Sequence, residues 1–218
     1  MRFDHAAKVL EVNVRELAED EGFRRVGFDR GDGWRRLGLG SQVHARVLAA
    51  RCDTHKAYRS EVHLQARVPV EEWTAVVSGR LDGCLERSAG HWLIEEFKST
   101  NLSVDGVRAS GYAFERDRWQ LLGYCYLWRR LGHASVSGAL VYVDIETGEE
   151  ISIDVPYDGE ETDRQVEARL VRLLAIWRSH EKARERKAQA ADRMPFPHTA
   201  PRPIQEKLME AVDIALSQ

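Results

Sequence analysis

The sequence lacks the features that mark membrane, secreted and disulfide-stabilised proteins. Its 218 residues contain no run of about 18 apolar residues, so we expect no transmembrane helix and no membrane partner. Charges are spread through the first 20 residues without an apolar segment, so we expect no secretory signal. Only three cysteines occur, without CxxC spacing. Such scarcity predicts a reducing, cytoplasmic location and argues against a disulfide framework or a cysteine zinc site.

A strong excess of charge of either sign is also missing. The formal net charge is −3, which excludes a polycation that binds nucleic acid through bulk charge alone but leaves room for a local basic surface. Residues 144–163 hold nine acidic residues and no lysine or arginine, whereas residues 164–193 hold nine basic and four acidic ones. The pattern fits a solvated hairpin beside a solvated helix, and it also fits a basic helix that faces nucleic acid.

Proline is scarce except at one place. Four of the six prolines lie between positions 195 and 203, and a short segment with a helical pattern follows them. A cluster of this kind is typical of a linker. With 43% hydrophobic residues the chain can bury one good core. We therefore predict one domain over residues 1–193, followed by a linker and the first helix of another domain over residues 194–218.

The hydrophobic pattern predicts a mixed sheet flanked by helices, an α/β fold. Glycines over residues 27–40 predict a loop, and Ser41 is a plausible N-cap for the helix after it. Residues 101–118 are expected to form a loop that overhangs the site described next. The predicted helices cover residues 9–21, 42–57, 114–131 and 163–193, and the predicted strands cover residues 58–69, 73–85, 91–100, 136–145 and 149–155.

Two carboxylates and a lysine stand on two of these strands. Asp82 is predicted at the end of one strand, and Glu96 and Lys98 lie on the next, after a short turn. Because side chains alternate along a strand, Glu96 and Lys98 share a face while Glu95 and Phe97 point the other way. An acid and an ammonium at the end of a buried strand are costly unless they are paired or used.

Phosphodiester hydrolysis needs this combination of groups. Two carboxylates and a backbone carbonyl hold a hard divalent ion, which polarises the phosphate and activates water. A nearby lysine orients or deprotonates that water and stabilises charge on the phosphate. The competing interpretation is a structural Asp turn with a surface Glu–Lys pair, because the bare (D/E)-x-K string is common by chance.

Four further residues extend the pattern. His44 is a structural histidine or an additional metal ligand, and Glu61 is a solvated strand charge or an acid near the site. Gln120 and Tyr124 stand four apart on one face of the predicted helix, either as a polar pair or as part of the site.

In this order, the residues resemble the RecB-like branch of the PD-(D/E)xK nuclease superfamily over residues 40–145. The matching positions are His44, Asp82, Glu96-Phe97-Lys98 and Gln120…Tyr124. The resemblance implies a restriction-endonuclease-like mixed central sheet flanked by helices and a DNA nuclease that uses Mg or Mn. It implies that His44, Asp82, Glu96 and the Phe97 carbonyl hold the metal and that Lys98 is catalytic. It also implies that Gln120 and Tyr124 contact DNA or support the site.

Some members of that family, of the AddB and CRISPR-adaptation types, hold an iron–sulfur cluster through one upstream cysteine and three near the C-terminal end. This sequence departs from them because no cysteine follows Cys125. We therefore expect no iron–sulfur cluster, and we interpret the cysteines as small core residues.

The segment between the Lys98 strand and the Gln120 helix carries arginines and an aromatic residue. Arginines with an exposed aromatic side chain suit single-stranded nucleic acid, through phosphate contacts and base stacking. The alternative is a plain surface loop. The candidate DNA-binding residues of this segment are Arg108, Tyr112, Arg116 and Arg118.

The C-terminal residues resemble the segment before the Walker A loop in XPD/DinG-like superfamily 2 helicases, with Gln205 matching a glutamine that contacts adenine. No G-x-x-x-x-G-K-[ST] motif follows within these 218 residues. The resemblance implies a nuclease domain joined in cis to a helicase. We therefore predict a nuclease that acts on single-stranded ends or flaps in DNA repair or processing. The alternative for the C-terminal residues is a Pro-rich spacer with a capping helix. The alternatives for the whole chain are a catalytically inactive nuclease-fold module that guides a helicase, and an interaction domain that docks through acidic residues 144–163.

Overall fold

The computed structural model describes residues 1–19, 33–109, 112–192 and 203–216. These residues divide into two units, Met1–Leu174 and Ala175–Gln218. The first unit is built on a sheet whose seven described strands are β1 Arg2–Asp4, β2 Val9–Asn13, β3 Arg59–Val70, β4 Trp73–Ser88, β5 His91–Thr100, β6 Ser135–Asp144 and β7 Glu150–Val155. The described helices are α1 Val14–Ala18, α2 Gly33–Thr54, α3 Val104–Ala109, α4 Tyr112–Arg130, α5 Gly159–Asp192 and α6 Pro203–Leu216.

The sheet is mixed, as the sequence predicts. The β4–β5 and β6–β7 pairs are antiparallel hairpins, whereas β5 and β6 are parallel, with α3 and α4 on the connection between them. A parallel pair requires such a crossover. From Trp92 to Phe97 every residue of β5 is buried, which explains the continuous apolar run in a central strand that is covered on both faces.

Helices cover both faces of this central region. On one face Val43 and Val47 of α2 pack against Phe97, Val141 and Val143. On the other face α4 contacts β5 and β6 and buries most of its last three turns, from Gln120 to Trp128. Helix α4 therefore brings its polar residues next to the strand that carries Glu96 and Lys98.

The sheet forks beside β4. Strand β3 pairs along one edge of β4, and on the other edge β2 pairs with residues 74–78 and β5 with residues 83–88. Among the described strands, none pairs with residues 79–82 on this second edge. Asp82 is the last residue of that gap, so it lies within β4 and not at a strand end as the sequence suggested. The fork leaves its side chain beside β5.

The predicted N-terminal helix over residues 9–21 is wrong in its first half. Residues Val9–Asn13 form β2, which pairs in parallel with β4, and a short helix starts only at Val14. Asn13 begins that helix with a capping box, because its side chain accepts from the Glu16 amide and Glu16 accepts from the Asn13 amide. A long-range strand partner thus overrides the local pattern.

Two further predictions are corrected at helix boundaries. Helix α2 begins at Gly33, so Ser41 lies inside it and is not its N-cap. Residues 20–32, including part of the predicted glycine loop, lie outside the described residues. The segment over residues 101–118 is mainly helical, because α3 and the start of α4 occupy it. The linker proposed over residues 194–202 also lies outside the described residues, whereas α6 forms as a helix after it.

None of the helices in the described part of the chain is long and apolar enough to span a membrane.

Candidate active site

The core of the candidate site is a three-residue polar contact between β5 and α4. The Lys98 ammonium donates to Oε1 of Glu96 at 2.8 Å and to Oε1 of Gln120 at 3.0 Å. The Gln120 amide in turn donates to the same Glu96 oxygen at 2.6 Å. The alternation along β5 therefore places Glu96 and Lys98 together, as predicted, and α4 supplies Gln120.

The carboxylate of Glu96 is buried and only half satisfied. Glu96 is 2% exposed, and its Oε2 has no hydrogen-bond partner. Burial raises the pKa of this carboxyl to about 7, and the Asp82 and Asp117 carboxylates add to the rise, while Lys98 opposes it. Because buried polar atoms are almost always paired, the unpartnered Oε2 is a candidate ligand for a cation.

Asp82 lies on β4 at the fork of the sheet, and Glu96 lies on the neighbouring strand β5. Oδ2 of Asp82 accepts a hydrogen bond from the Phe97 backbone amide at 2.8 Å, and Nδ1 of His44 lies 4.0 Å from the same oxygen. The N–H and C=O of one residue in an extended strand point to the same side, so the Phe97 carbonyl faces the Asp82 strand as well. The His44 ring also meets the Phe97 ring edge-on. The structure thus brings His44, Asp82 and the Phe97 backbone together.

The chemistry of these groups fits a hard divalent cation. Within the described residues, no group of three or more His, Cys, Asp or Glu side chains converges closely enough to hold a metal. Carboxylates and backbone carbonyls are nevertheless the donors that Mg and Mn prefer, and the unpartnered Oε2 of Glu96 supplies one free donor. The donor set therefore fits the metal that the resemblance implies.

Tyr124 lies behind this cluster. It is 5% exposed, and an added Cβ at Gly79 would come within 2.7 Å of its Cε1 atom. Burial, and then the nearby Glu96, raise the pKa of the Tyr124 hydroxyl. Glycine at position 79 is required because the ring packs directly on the strand. Since Gln120 is also buried, at 7% exposure, both residues line the interior side of the site.

The predicted DNA-binding residues lie along α3 and α4. Arg108 is exposed in the last turn of α3, and the side chain of Tyr112 lies outside the described residues. Arg116 pairs with Asp117 at 3.1 Å, and Arg118 pairs with Glu115 at 3.3 Å. Of these arginines, Arg116 is linked to the central cluster, through Asp117.

Asp117 is a site residue that the sequence analysis missed. It is 5% exposed, its Oδ1 lies 3.9 Å from the Lys98 ammonium, and its Oδ2 accepts from the Tyr142 hydroxyl at 3.1 Å. A signal was available, because Asp117 precedes Gln120 by three positions and Tyr124 by seven, which puts all three on one helical face.

The neighbouring Glu95 belongs to a different network on the other face of β5. Its Oε2 accepts from the Tyr58 hydroxyl at 2.7 Å and lies 3.5 Å from Nε of Arg51. Arg51 also donates to Glu150 at 2.5 Å. The adjacent acids therefore have separate environments, since Glu95 contacts Tyr58 and Arg51 whereas Glu96 contacts Lys98 and Gln120.

A cavity of about 420 Å³ opens next to Asp82, between α2 and the β3–β4 pair. Small residues of α2 leave room for this cavity. Arg80 contributes a positively charged side chain to its lining. Arg80 pairs with Glu61 at 3.2 Å, both side chains being more than half exposed. Glu61 has a left-handed φ of 52° and interrupts the β3–β4 register, which pairs Ser60 with Gly83 and Val62 with Leu81 on either side of it. The other lining residues are His44, Ala45, Leu48, Ala49, Cys52 and Ser60.

A model of the PD-(D/E)XK nuclease superfamily matches residues 3–205, which is nearly the whole chain. No curated protein of similar sequence was found. Among solved structures, SSO0001 is 17% identical, with a TM-score of 0.49 over 73% of this chain and 74% of the other. A protein from Eubacterium rectale assigned as an exonuclease is also 17% identical, with a TM-score of 0.37 over 60% of this chain and 52% of the other. The family match and the mixed seven-stranded sheet of the described residues confirm the predicted restriction-endonuclease-like fold.

Proposed function

Because the chain belongs to the PD-(D/E)XK nuclease superfamily, we propose that it is a divalent-metal-dependent deoxyribonuclease of the RecB-like branch. The observation that carries the proposal is the buried Glu96 carboxylate, which has an unpartnered oxygen and lies beside Asp82 and Lys98. A buried acid of this kind destabilises the fold unless a cation or a proton compensates it. A divalent ion bound at Glu96 would supply that compensation.

Four groups would hold the ion: the carboxylates of Asp82 and Glu96, the Phe97 carbonyl and the His44 imidazole. A bound Mg or Mn ion supplies a Lewis acid for the scissile phosphate and lowers the pKa of a bound water. Asp82 is fixed by the Phe97 amide and His44 is placed by α2, so these donors are held by regular elements and not by loops. Rigid support of this kind favours a preorganised site.

Lys98 is the residue proposed to act on the water and the phosphate. Its ammonium form orients the attacking water and stabilises negative charge on the phosphate, whereas only its neutral amine form can accept a proton from that water. The hydrogen bonds to Glu96 and Gln120 hold it next to the carboxylate that binds the metal. The burial of Gln120 and Tyr124 supports a role in shaping the site rather than direct contact with DNA.

The proposed substrate is DNA, in the form of single-stranded ends or flaps. The cavity beside Asp82 supports an approach of the strand between α2 and β3, where Arg80 can contact a phosphate. The exposed Arg108 and the half-exposed Arg116 and Arg118 support further backbone contacts on the α3–α4 side. Stacking by Tyr112 is part of the same proposal.

A helicase in cis is proposed from the resemblance of the C-terminal residues. Helix α6 is amphipathic and exposes apolar side chains, as expected of a first helix that packs into a further domain. A repair role for the pair follows from the same resemblance. The exposed apolar residues are Ile204, Leu208, Met209 and Val212.

The test is cleavage of labelled single-stranded, duplex and flap DNA with Mn, with Mg and with EDTA. We expect cleavage with either metal, none with EDTA, and loss of cleavage in Asp82→Ala and in Lys98→Ala. Asp154→Asn on an exposed position of β7 is the matched control and retains activity. Binding of DNA without cleavage in any metal would instead identify a non-catalytic module that guides a helicase.

A further inference from the structure

Asp117 is a buried carboxylate whose presence the metal site does not by itself require. Both of its oxygens have partners: Oδ2 accepts from Tyr142, and Oδ1 accepts from Arg116 at 3.1 Å and faces Lys98 at 3.9 Å. Helix α4 therefore places a second carboxylate near Lys98, and contacts from Tyr142 on β6 and from Arg116 hold it there.

Packing alone does not explain an acid at this position. Replacing a buried ion pair by well-packed apolar residues is often neutral or stabilising, so stability does not require a buried acid and the acid can serve another role. Tyr142 pairs with Lys98 in the β5–β6 register, so the hydroxyl that holds Asp117 comes from the residue directly beside the lysine. The carboxylate, the lysine and the tyrosine thus form one unit across α4, β5 and β6.

The lysine needs an anchor that does not also serve the metal. An ammonium group has three N–H donors, and two of them are directed at Glu96 and Gln120. Glu96 has a second task as a metal ligand, and a cation there competes with Lys98 for its charge. Among the described residues, Asp117 is the other carboxylate within 4 Å of the Lys98 ammonium, at 3.9 Å.

We propose that Asp117 is a positioning residue that holds the Lys98 ammonium in its reactive place, with Tyr142 fixing the Asp117 side chain. The expected effect on DNA cleavage rests on the proposed nuclease function. The geometry rests on the described contacts alone. It also predicts that Arg116, which shares the Asp117 carboxylate, is oriented by the same residue.

The first experiment is single-turnover DNA cleavage by Asp117→Asn, which keeps the side-chain shape and removes the charge. We expect the rate at saturating DNA to fall about tenfold, with DNA affinity changed less than about twofold, because the variant acts on the bound complex. Tyr142→Phe, which removes only the hydroxyl, is expected to lower the rate in the same direction by about threefold.

A double-mutant cycle separates positioning from a structural effect. If Asp117 acts through Lys98, Asp117→Asn lowers the residual rate of Lys98→Ala no further, because the interacting partner is already gone. An equal fold-loss in the wild-type and Lys98→Ala backgrounds would overturn the proposal. So would an unchanged rate in both Asp117→Asn and Tyr142→Phe.

A second measurement does not depend on nuclease activity. In protein labelled with ¹⁵N at lysine Nζ, we expect the metal-free wild type to show a resolved Lys98 ammonium signal, because its protons are held in hydrogen bonds. Asp117→Asn should broaden or remove that signal, and Lys56→Ala serves as an exposed-lysine control for its assignment. An identical Lys98 signal in wild type and Asp117→Asn contradicts the positioning role. A wild type that shows this loss on substitution but never cleaves DNA refutes the nuclease proposal alone.

Discussion

Lys98 donates a 2.8 Å hydrogen bond to one oxygen of Glu96, while the other oxygen of that carboxylate, fully buried, has no partner. One oxygen of Glu96 therefore accepts from a lysine, while the other is free to coordinate a cation. This asymmetry is what a site that binds a cation and presents a lysine beside it requires. It arises because β5 alternates Glu96 and Lys98 onto the α4 face while α2 covers Phe97 on the opposite face.

Glu96→Gln should weaken metal binding while preserving the fold. The amide removes the negative charge that the cation needs, but it retains a group that can accept from Lys98 and Gln120. We expect Mn affinity, measured by isothermal titration calorimetry, to fall by at least about tenfold, or about 1.4 kcal/mol. Unchanged affinity in this variant would remove Glu96 from the ligand set.

Manganese should also stabilise the wild-type protein against heat. A ligand that binds the folded state alone at about 100 times its dissociation constant adds about 2.7 kcal/mol to the free energy of unfolding. Differential scanning calorimetry with increasing Mn is expected to raise Tm for wild type and for Asp154→Asn, and to raise it much less for Asp82→Asn. An equal rise in all three proteins would show that the ion binds elsewhere.

Gly79→Ala should distort the wall of the site. The added methyl group would lie 2.7 Å from Tyr124 and 3.1 Å from Val14, so the ring or the strand must move. Overpacking of this kind costs about 1–3 kcal/mol, which urea unfolding can measure. Ser78→Ala adds no volume at the adjacent position and is the control. Stability equal to that of the control would show that Tyr124 does not pack on this strand as described.

Tyr58→Phe should separate the stabilising acid from the metal-binding one. Loss of the 2.7 Å bond to Glu95 leaves that buried carboxylate with Arg51 alone, and we expect a loss of about 1–2 kcal/mol in urea unfolding. Mn affinity should stay at the wild-type value, because Glu96 accepts its hydrogen bonds from Lys98 and Gln120 and not from Tyr58. A parallel loss of Mn affinity would mean that the two faces of β5 are coupled.

Arg80→Ala tests the approach of DNA through the cavity beside Asp82. Removing one phosphate contact lowers the slope of log affinity against log salt by about one for a duplex, and somewhat less for a single strand. We expect Glu61→Gln, which releases Arg80 from its ion pair, to raise affinity slightly, as the exposed pair is weak. Filter binding across a salt series, with Arg67→Ala as a control, measures both. A slope that Arg80→Ala leaves unchanged places the strand elsewhere.

Much of the central hairpin could be predicted from local pattern. The apolar run before Glu95, the turn at Gly90 with its φ of 79°, and the alternation of Glu96 and Lys98 are all encoded within some twenty consecutive positions, as is typical of antiparallel hairpins. The helix that carries Gln120 and Tyr124 was predicted for the same reason, because its 3.6-residue pattern is long and regular.

The features that local pattern missed depend on distant partners. Strand β2 forms because β4 offers its edge about sixty-five positions later, which no window around Val9 reveals. The position of Asp82 at the fork follows from where β2 and β5 leave that same edge. Asp117 was overlooked because its partners Lys98 and Tyr142 lie on two other elements, although its helical spacing from Gln120 pointed to the same face.

The most direct test of the central claim is single-turnover cleavage of an end-labelled single strand in Mn by Lys98→Ala and by the matched exposed variant Lys56→Ala. The account predicts wild-type cleavage by Lys56→Ala and a loss of at least about a hundredfold by Lys98→Ala, the usual contribution of a positioned general acid–base residue. Circular dichroism and Mn titration establish that both variants are folded and bind metal. Cleavage by folded Lys98→Ala at the wild-type rate would contradict the assignment of this β5–α4 cluster as the active site.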